Sequence, residues 1–130
     1  MRETERVEVK QQAHGLTEGA KYDEGKPRWD LLPIDALNEL VAVLSFGAGK
    51  YDDRNWEKGI NYSRVYGAAM RHLTKFWNGQ DKDDETDLAH LAHAMCCCMF
   101  LLSYQLRSMK EFDDRPRNQK PNRDSEQSVS

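Results

Sequence analysis

The stretch from Asp83 to Leu102, DDETDLAHLAHAMCCCMFLL, constrains the fold more than any other part of the sequence. It begins as a block of acids and becomes an apolar run, from Ala92 onward, without any Asp, Glu, Lys or Arg. This run is about half as long as a membrane-spanning helix needs to be. The pattern therefore predicts a helix covered by a protein core. Two histidines, His90 and His93, stand where the acids give way to apolar residues.

The bulk composition predicts one soluble domain. The 130 residues are 38% hydrophobic and 32% charged, so a core can form. A net charge of −3 provides no basic surface for nucleic acid and no polybasic membrane patch. The N-terminus MRETERVEVKQQ lacks the apolar segment of a secretory signal. The consecutive cysteines Cys96, Cys97 and Cys98 point in different directions on a helix and form no disulfide framework, so we expect a reduced, cytoplasmic protein.

Composition also predicts the limits of the folded part. Residues 1–20 are polar and without apolar periodicity, which predicts a flexible arm. Residues 113–130 contain two prolines and almost no large apolar residue, which predicts a disordered tail. The folded domain is then expected to span residues 21–112.

Apolar periodicity predicts an all-α fold with three helices and no strand of useful length. The first helix is expected to follow Pro33 and to end at Gly47 and Gly49. The second is expected to run from Ser63, as N-cap, to Trp77, before Asn78-Gly79. The third is expected to begin near Asp84 to Thr86, where acids favour the helix dipole, and to continue to about Met109.

Two acids and two histidines form the main candidate site. Asp35 and Glu39 are four residues apart on the first helix, and His90 and His93 are three apart on the third, so each pair shares a helix face. An isolated acid usually faces solvent, and an isolated histidine beside apolar residues usually belongs to the core. Because two such pairs at ligand spacing occur in one small helical domain, the sequence favours a divalent metal site between helices as much as it favours these structural roles.

Other polar residues near these pairs have open roles. Asp87, three residues before His90, could bind a metal or orient that imidazole, and Glu85 could be a ligand or simply an acid at a helix start. His72 lies on the apolar stripe of the second helix and is expected to be a core residue. Arg71 could meet a phosphate group or face solvent.

Four ordered motifs resemble the phage dATP/dGTP diphosphohydrolase family. They read KYD-GK-R-DL-P, GA-KY-DRNW-KG, RHL---W-G-D-D and HLAHA, and they cover about Lys21 to Leu102. This family is similar to the MazG-type all-α nucleotide pyrophosphohydrolases. The resemblance implies a MazG-like helical bundle. Some members, of the MazZ type, occur in phages whose genomes carry 2-aminoadenine and are held to convert dGTP to dGMP.

The resemblance also implies a set of metal ligands. MazG-type proteins bind magnesium through an E-E-x-x-E motif and a later E-x-x-D motif. Asp35 and Glu39 match the first and last acids of the first motif, with Ala36 at the middle acid. His90 and His93 match the spacing of the second motif but replace both acids, so Mn²⁺, Co²⁺ or Zn²⁺ becomes credible beside Mg²⁺. The candidate ligands are Asp35, Glu39, Glu85, Asp87, His90 and His93.

The implied reaction is hydrolysis between the α- and β-phosphates of a purine deoxynucleoside triphosphate, which releases a monophosphate and pyrophosphate. Asp35 and Glu39 would hold metal or act as general base, while basic residues would offset phosphate charge. Aromatic rings could stack on the purine or could instead anchor loops. We expect a homodimer or homotetramer with shared sites, in an infected host cell if the protein is phage-encoded. The candidate substrate-binding residues are Lys26, Arg28, Trp29, Lys50, Tyr51, Asn55, Trp56, Lys58 and Arg71.

Two alternatives remain open. An HD-type metal phosphohydrolase would release intact triphosphate, but its motif needs an adjacent His-Asp pair, and none of the four histidines is followed by Asp. A helical nucleotide-binding module without catalytic activity is the second alternative. Ala36 and Asn38, which stand where acids would be expected, favour this reading.

Overall fold

A computed structural model of the chain describes residues 19–118. The described part is helical, with one isolated β-bridge between Lys82 and Ala89 and no longer strand, so the predicted all-α class is confirmed. Most of the predicted arm (1–20) and of the predicted tail (113–130) lies outside the described residues. The α-helices are α1 (Ile34–Lys50), α2 (Tyr62–Trp77) and α3 (His90–Leu106), and four short 3₁₀ helices span Trp29–Leu31, Asn55–Lys58, Lys110–Phe112 and Pro116–Asn118.

The chain divides into two compact units after Leu32. In the first unit, Lys26 donates its backbone N–H to the carbonyl of Asp23 and closes a turn. The 3₁₀ helix Trp29–Leu31 follows, and the Arg28 guanidinium beside it forms a two-pronged ion pair with Asp30, at 2.7 and 2.8 Å. This short unit therefore carries its own local polar structure. The second unit contains all three α-helices.

Helix α1 begins where the sequence predicts but ends later. It starts directly after Pro33, whose carbonyl accepts a hydrogen bond from Leu37 N–H. The expected end at the two glycines is wrong, because the helix continues through Gly47 to Lys50. Lys50 is held by an ion pair with Glu85 at 2.7 Å, and such a tertiary contact can override the low helix propensity of glycine.

Helix α2 ends as predicted, at Trp77 before Asn78-Gly79, but Ser63 is not its N-cap. The helix begins at Tyr62, and Ser63 lies inside its first turn. The backbone N–H and the hydroxyl of Ser63 both donate to the carboxylate of Asp114. An acid from beyond α3 thus satisfies a free N–H at the start of α2, where the helix dipole also favours negative charge.

Helix α3 is shorter than predicted at both ends. It begins at His90, because the preceding acids form a loop instead of a first helical turn. The Asp83 carboxylate accepts backbone hydrogen bonds from Glu85 and Thr86, and Asp87 adopts a left-handed φ of 58°. Hydrogen bonds of this kind compete with helix formation. At the other end the helix stops at Leu106, and Ser108 has a left-handed φ of 54°.

Helices α2 and α3 pack against each other in antiparallel orientation. The N-terminal part of α2 meets the C-terminal part of α3, where Tyr62 and Val65 pack against Tyr104. Helix α1 packs on the other apolar positions of α3, with Leu40 and Val43 against Ala92 and Cys96. The apolar helix predicted from the sequence is therefore covered by both of its neighbours.

The loop between α1 and α2 is pinned to the C-terminal half of α3. The Trp56 ring stacks on Phe100 at 4.6 Å, and the phenol of the fully buried Tyr104 donates to the Trp56 carbonyl at 2.6 Å. Gly59, with a φ of 101°, closes the loop, and the Phe112 ring fills the space that a Cβ atom would need there. No described helix is long and apolar enough to cross a membrane.

We predict that Tyr104→Phe destabilises the protein by about 1 kcal/mol, because the Trp56 carbonyl loses the phenol donor and keeps only Gly59 N–H, while the ring packing remains. Urea denaturation of both proteins measures the difference. Tyr66→Phe is the matched control, since Tyr66 is 60% exposed on α2 and its change should leave the free energy of unfolding nearly unaltered. Equal effects of the two substitutions would contradict the assigned role of Tyr104.

Candidate active site

Three imidazoles meet where the C-terminal half of α2 faces the start of α3. His72 Nδ1 lies 2.9 Å from His90 Nδ1, and the His72 ring stacks on His93, with centroids 4.5 Å apart and planes at 7°. His90 is fully buried, whereas His72 and His93 are half-buried. The antiparallel packing of α2 and α3 thus brings His72 to two histidines that lie 18 and 21 residues further along the sequence.

The loop before α3 supplies the other polar groups of this cluster. The Thr86 hydroxyl lies 2.7 Å from His93 Nε2 and 3.2 Å from Asp83 Oδ2. It also accepts the backbone N–H of Leu88 at 3.2 Å. Thr86 therefore links the acidic loop to the imidazole cluster and holds the His93 ring in one orientation.

The environment favours neutral imidazoles beside an ionised carboxylate. Burial, followed by the neighbouring His93, lowers the pKa of His72 to about 4. Burial likewise lowers the pKa of His93, although Asp83 opposes this. For Asp83, burial acts to raise the pKa, but hydrogen bonds from Thr86 and Glu85 outweigh it and lower the pKa. These are the protonation states in which His and Asp bind metal ions.

Among the described residues, one group of potential ligands has metal-binding geometry. His72, Asp83 and His90 can each direct one ligand atom so that all three atoms lie within 4.8 Å of one another. His90 Nε2 is also buried without a hydrogen-bond partner in the described part of the chain. Two imidazoles and one carboxylate are a donor set that proteins use for divalent ions. The residues present therefore fit a divalent metal.

A cleft of about 1100 Å³ opens beside this cluster, which suits a ligand of nucleotide size. His72, Asp83, Thr86 and His93 lie on its wall, so the imidazole cluster faces the same space. Basic side chains surround the cleft as well. Those from the helices are Lys50 of α1, Arg71 and Lys75 of α2, and Arg107 directly after α3.

The sequence was compared with known proteins. Residues 17–115 match the family model described as "dATP/dGTP diphosphohydrolase, N-terminal". The chain belongs to the dATP/dGTP diphosphohydrolase family. A protein of Salmonella phage PMBT28 named dATP/dGTP diphosphohydrolase is 36% identical over 97 residues, which are 75% of this chain and 33% of that protein. The chain thus spans about one third of the length of this curated relative. No solved structure matches the chain.

The cleft of this family member contains many of the predicted substrate-binding residues. Tyr51 is 58% exposed on its wall, and Lys58 lies outside the lining. Lys26, Arg28 and Trp29 belong to the first compact unit, which is described above by itself. The predicted substrate-binding residues that line the cleft are Lys50, Tyr51, Asn55, Trp56 and Arg71.

The six predicted metal ligands are distributed differently. His90 is part of the three-residue group, and His93 stacks on His72 of that group. Glu85 lines the cleft, where it forms an ion pair with Lys50. Asp87 is exposed in the loop, so it does not share a helix face with the histidines. Two further predicted ligands, Asp35 and Glu39, are exposed on α1 and belong neither to the cleft lining nor to the group.

The Trp56 ring is already in contact with other side chains of the protein, although the sequence predicted that it could stack on a base. Its ring stacks on Phe100, and the Arg107 guanidinium lies over the ring at 5.2 Å. Arg107 also pairs with Glu57 at 3.3 Å. These contacts favour the alternative that Trp56 anchors its loop on α3.

Sequence reasoning missed three residues of the site. His72 was expected in the core because it follows the apolar stripe of α2, yet its Nδ1 meets His90. Asp83 and Thr86 were expected to start a helix, yet they form the loop that closes the cluster. The motif RHL---W-G-D-D contained the available signal, since it holds both His72 and Asp83 at the start of the acidic loop.

We predict that Thr86→Val lowers the free energy of unfolding by about 1–3 kcal/mol, because the hydroxyl partners of His93 and Asp83 are lost while the branched shape is kept. Thr86→Ser should recover most of this loss. Thr74→Val, at an exposed position of α2, is the matched control and should change stability by no more than about 0.5 kcal/mol. A Thr86→Val protein as stable as wild type in urea would show that the hydroxyl does not support the cluster.

Proposed function

We propose that this chain carries out metal-dependent hydrolysis of a purine deoxynucleoside triphosphate, dGTP or dATP, to the monophosphate and pyrophosphate. The observation that carries the proposal is a nucleotide-sized cleft whose lining combines basic side chains with His72 and Asp83 of the histidine–aspartate group. The name of the phage relative, dATP/dGTP diphosphohydrolase, supports the same substrate class. A MazG-like bundle and a MazZ-type role in a 2-aminoadenine pathway stay predictions.

The basic residues of the cleft suit a triphosphate. Arg71 and Lys75 lie one helical turn apart on α2 and form no ion pair with another described residue, so both can meet phosphate oxygens. Lys50 and Arg107 pair with Glu85 and Glu57, and can exchange these carboxylates for phosphate. Arginine adds a planar set of donors that matches phosphate geometry.

Other residues that line the cleft suit a purine base. The exposed Tyr51 ring directly follows α1 and can stack on a base, and Asn55 can hydrogen-bond to a base edge. Stacking on a flat ring discriminates weakly among bases. We therefore assign any preference for guanine or adenine to hydrogen bonding rather than to Tyr51.

The reaction consumes one water molecule and breaks the bond between the α-phosphate and the bridging oxygen, so that pyrophosphate leaves. A divalent ion, when bound, supplies Lewis acidity to the phosphate oxygens and lowers the pKa of the attacking water. Arg71 and Lys75 offset the charge that develops on the leaving pyrophosphate. His93, held by Thr86, can orient the water at the wall of the cleft.

Asp35 and Glu39 remain the residues that we propose either to accept the proton of this water, as general base, or to bind the metal. Because both are exposed and outside the cleft lining, they would reach a substrate in an assembly whose sites are shared between subunits. Exposed apolar residues on α3, with Leu91, Met95 and Leu102 between 41% and 55% exposed, support such a homodimer or homotetramer. Light scattering that gives a monomer mass would contradict the shared site.

A screen of all common ribo- and deoxynucleoside triphosphates, with Mg²⁺ or Mn²⁺ and identification of the products, tests the function. We expect monophosphate and pyrophosphate in equal amounts, with dGTP or dATP turned over fastest. Release of intact triphosphate would instead indicate an HD-type phosphohydrolase. Bound nucleotide without any product under either metal would indicate a binding module.

Replacement of Glu39 tests its role in turnover. We predict that Glu39→Gln lowers kcat at least about 100-fold, because loss of a general base or metal ligand has this scale, while the protein stays folded. Glu111→Gln makes the same chemical change at another exposed glutamate and should keep full activity. An active Glu39→Gln enzyme would remove Glu39 from the mechanism and leave the cleft assignment intact.

A further inference from the structure

We propose that His72, Asp83 and His90 form a binding site for a borderline divalent transition metal such as Zn²⁺ or Co²⁺. Of its three ligands only His90 was predicted from the sequence, and the site does not depend on nucleotide or on the proposed reaction. His72 comes from α2, Asp83 from the acidic loop and His90 from the first turn of α3. A bound ion would therefore join all three segments.

The distance between the two imidazoles agrees with common ligation. Two nitrogens that each lie about 2.1 Å from one ion are about 3 Å apart in an octahedral site and about 3.4 Å apart in a tetrahedral one. His72 Nδ1 and His90 Nδ1 are 2.9 Å apart, and a carboxylate oxygen of Asp83 lies within 4.8 Å of a ligand atom on each ring. The three donors therefore lie close together around one point.

A hydrogen bond between the imidazoles alone leaves His90 poorly satisfied. One of the two Nδ1 atoms must donate a proton and the other must accept it. Whichever tautomer His90 adopts, its Nε2 is buried without a partner in residues 19–118. An ion held through His90 Nε2 would satisfy this nitrogen, whereas an ion held through Nδ1 would leave it unpaired, and each histidine can offer either nitrogen.

The kind of donor selects the kind of ion. Two imidazoles and one carboxylate suit Zn²⁺, Co²⁺, Mn²⁺ and Fe²⁺, whereas Mg²⁺ prefers oxygen ligands and keeps most of its waters. The site is therefore expected to prefer transition metals over Mg²⁺.

Around the three ligands, other residues hold the rings in place. His93 stacks on His72, and Thr86 bonds both His93 and Asp83. Such outer contacts fix the orientation of ligating groups. Asp83, Thr86 and Glu85 also line the cleft, so an ion at this site would fix one of its walls.

The test is metal binding by the untagged full chain without nucleotide. Every protein carries Cys98→Ser, which removes an exposed thiol as an outside ligand. Titration with CoCl₂, followed by visible absorption and calorimetry, should show one Co²⁺ per chain and a higher unfolding temperature. ZnCl₂ should displace the Co²⁺, and a large excess of MgCl₂ should not. Absence of saturable Co²⁺ binding, or equal displacement by Mg²⁺, would overturn the proposal.

Matched variants locate the ion. Asp83→Asn and His72→Gln should each weaken Co²⁺ binding at least about tenfold, the scale at which even outer-shell changes act. Asp87→Asn, the same change four residues along the same loop, should leave affinity unaltered, because Asp87 is exposed and outside the group. If Asp83→Asn fails to fold by circular dichroism, His72→Gln decides the test. Equal affinity in His72→Gln and wild type, or equal losses in Asp87→Asn and Asp83→Asn, would place the ion elsewhere.

This experiment separates the inference from the proposed function. Co²⁺ binding in the absence of turnover would support the site and reject the enzyme. Turnover with Mg²⁺ by a chain that binds no Co²⁺ would support the enzyme and reject the site. Glu111→Gln, at an exposed glutamate outside the ligand group, should leave Co²⁺ affinity unchanged.

Discussion

The rest of the fold depends on the need to cover α3. From His90 to Leu106 the helix has no Asp, Glu, Lys or Arg. Most of its surface is therefore apolar and is stable only when other helices bury it. Helix α2 covers one part of it through Tyr62 and Val65, and α1 covers another through Leu40 and Val43. This packing determines which polar residues meet, because it sets the register of α2 against α3.

This register places polar side chains at one end of the apolar interface between α2 and α3. The aromatic packing of Tyr62 on Tyr104 aligns the two helices at the other end. With the helices antiparallel, His72 then lies opposite the first turn of α3 and meets His90. Burial of a charged imidazole is unfavourable, and burial accordingly lowers the pKa of His72.

The acidic loop completes the cluster because it does not become helix. Asp83 accepts backbone hydrogen bonds from Glu85 and Thr86, and Asp83 N–H donates to the Leu88 carbonyl. The left-handed Asp87 turns the chain so that Ala89 pairs with Lys82. An earlier start of α3 would have carried Asp83 and Thr86 away from the histidines. The loop therefore shapes the site as much as the helices do.

Sequence reasoning predicted the parts of the molecule that depend on local pattern. Apolar spacing located all three helices, and Pro33 and Asn78-Gly79 marked two ends correctly. It failed where a distant residue decides the outcome. Ser63 does not cap α2, because Asp114 supplies the carboxylate. His72 was assigned to the core from its apolar stripe, since no local pattern shows that His90 lies opposite it.

The same distinction applies to the site. Spacing along one helix paired Asp35 with Glu39 and His90 with His93, but ligands converge across elements, and their register comes from packing. The family resemblance suggested acids on α1, whereas the convergent group uses α2 and the loop. Replacement of carboxylates by imidazoles changes more than the ligand count. At the proposed site it would move the preferred ion from one that keeps its water shell to one that binds nitrogen directly. It would also make burial of the ligands less costly, because neutral imidazoles lose less hydration than carboxylates.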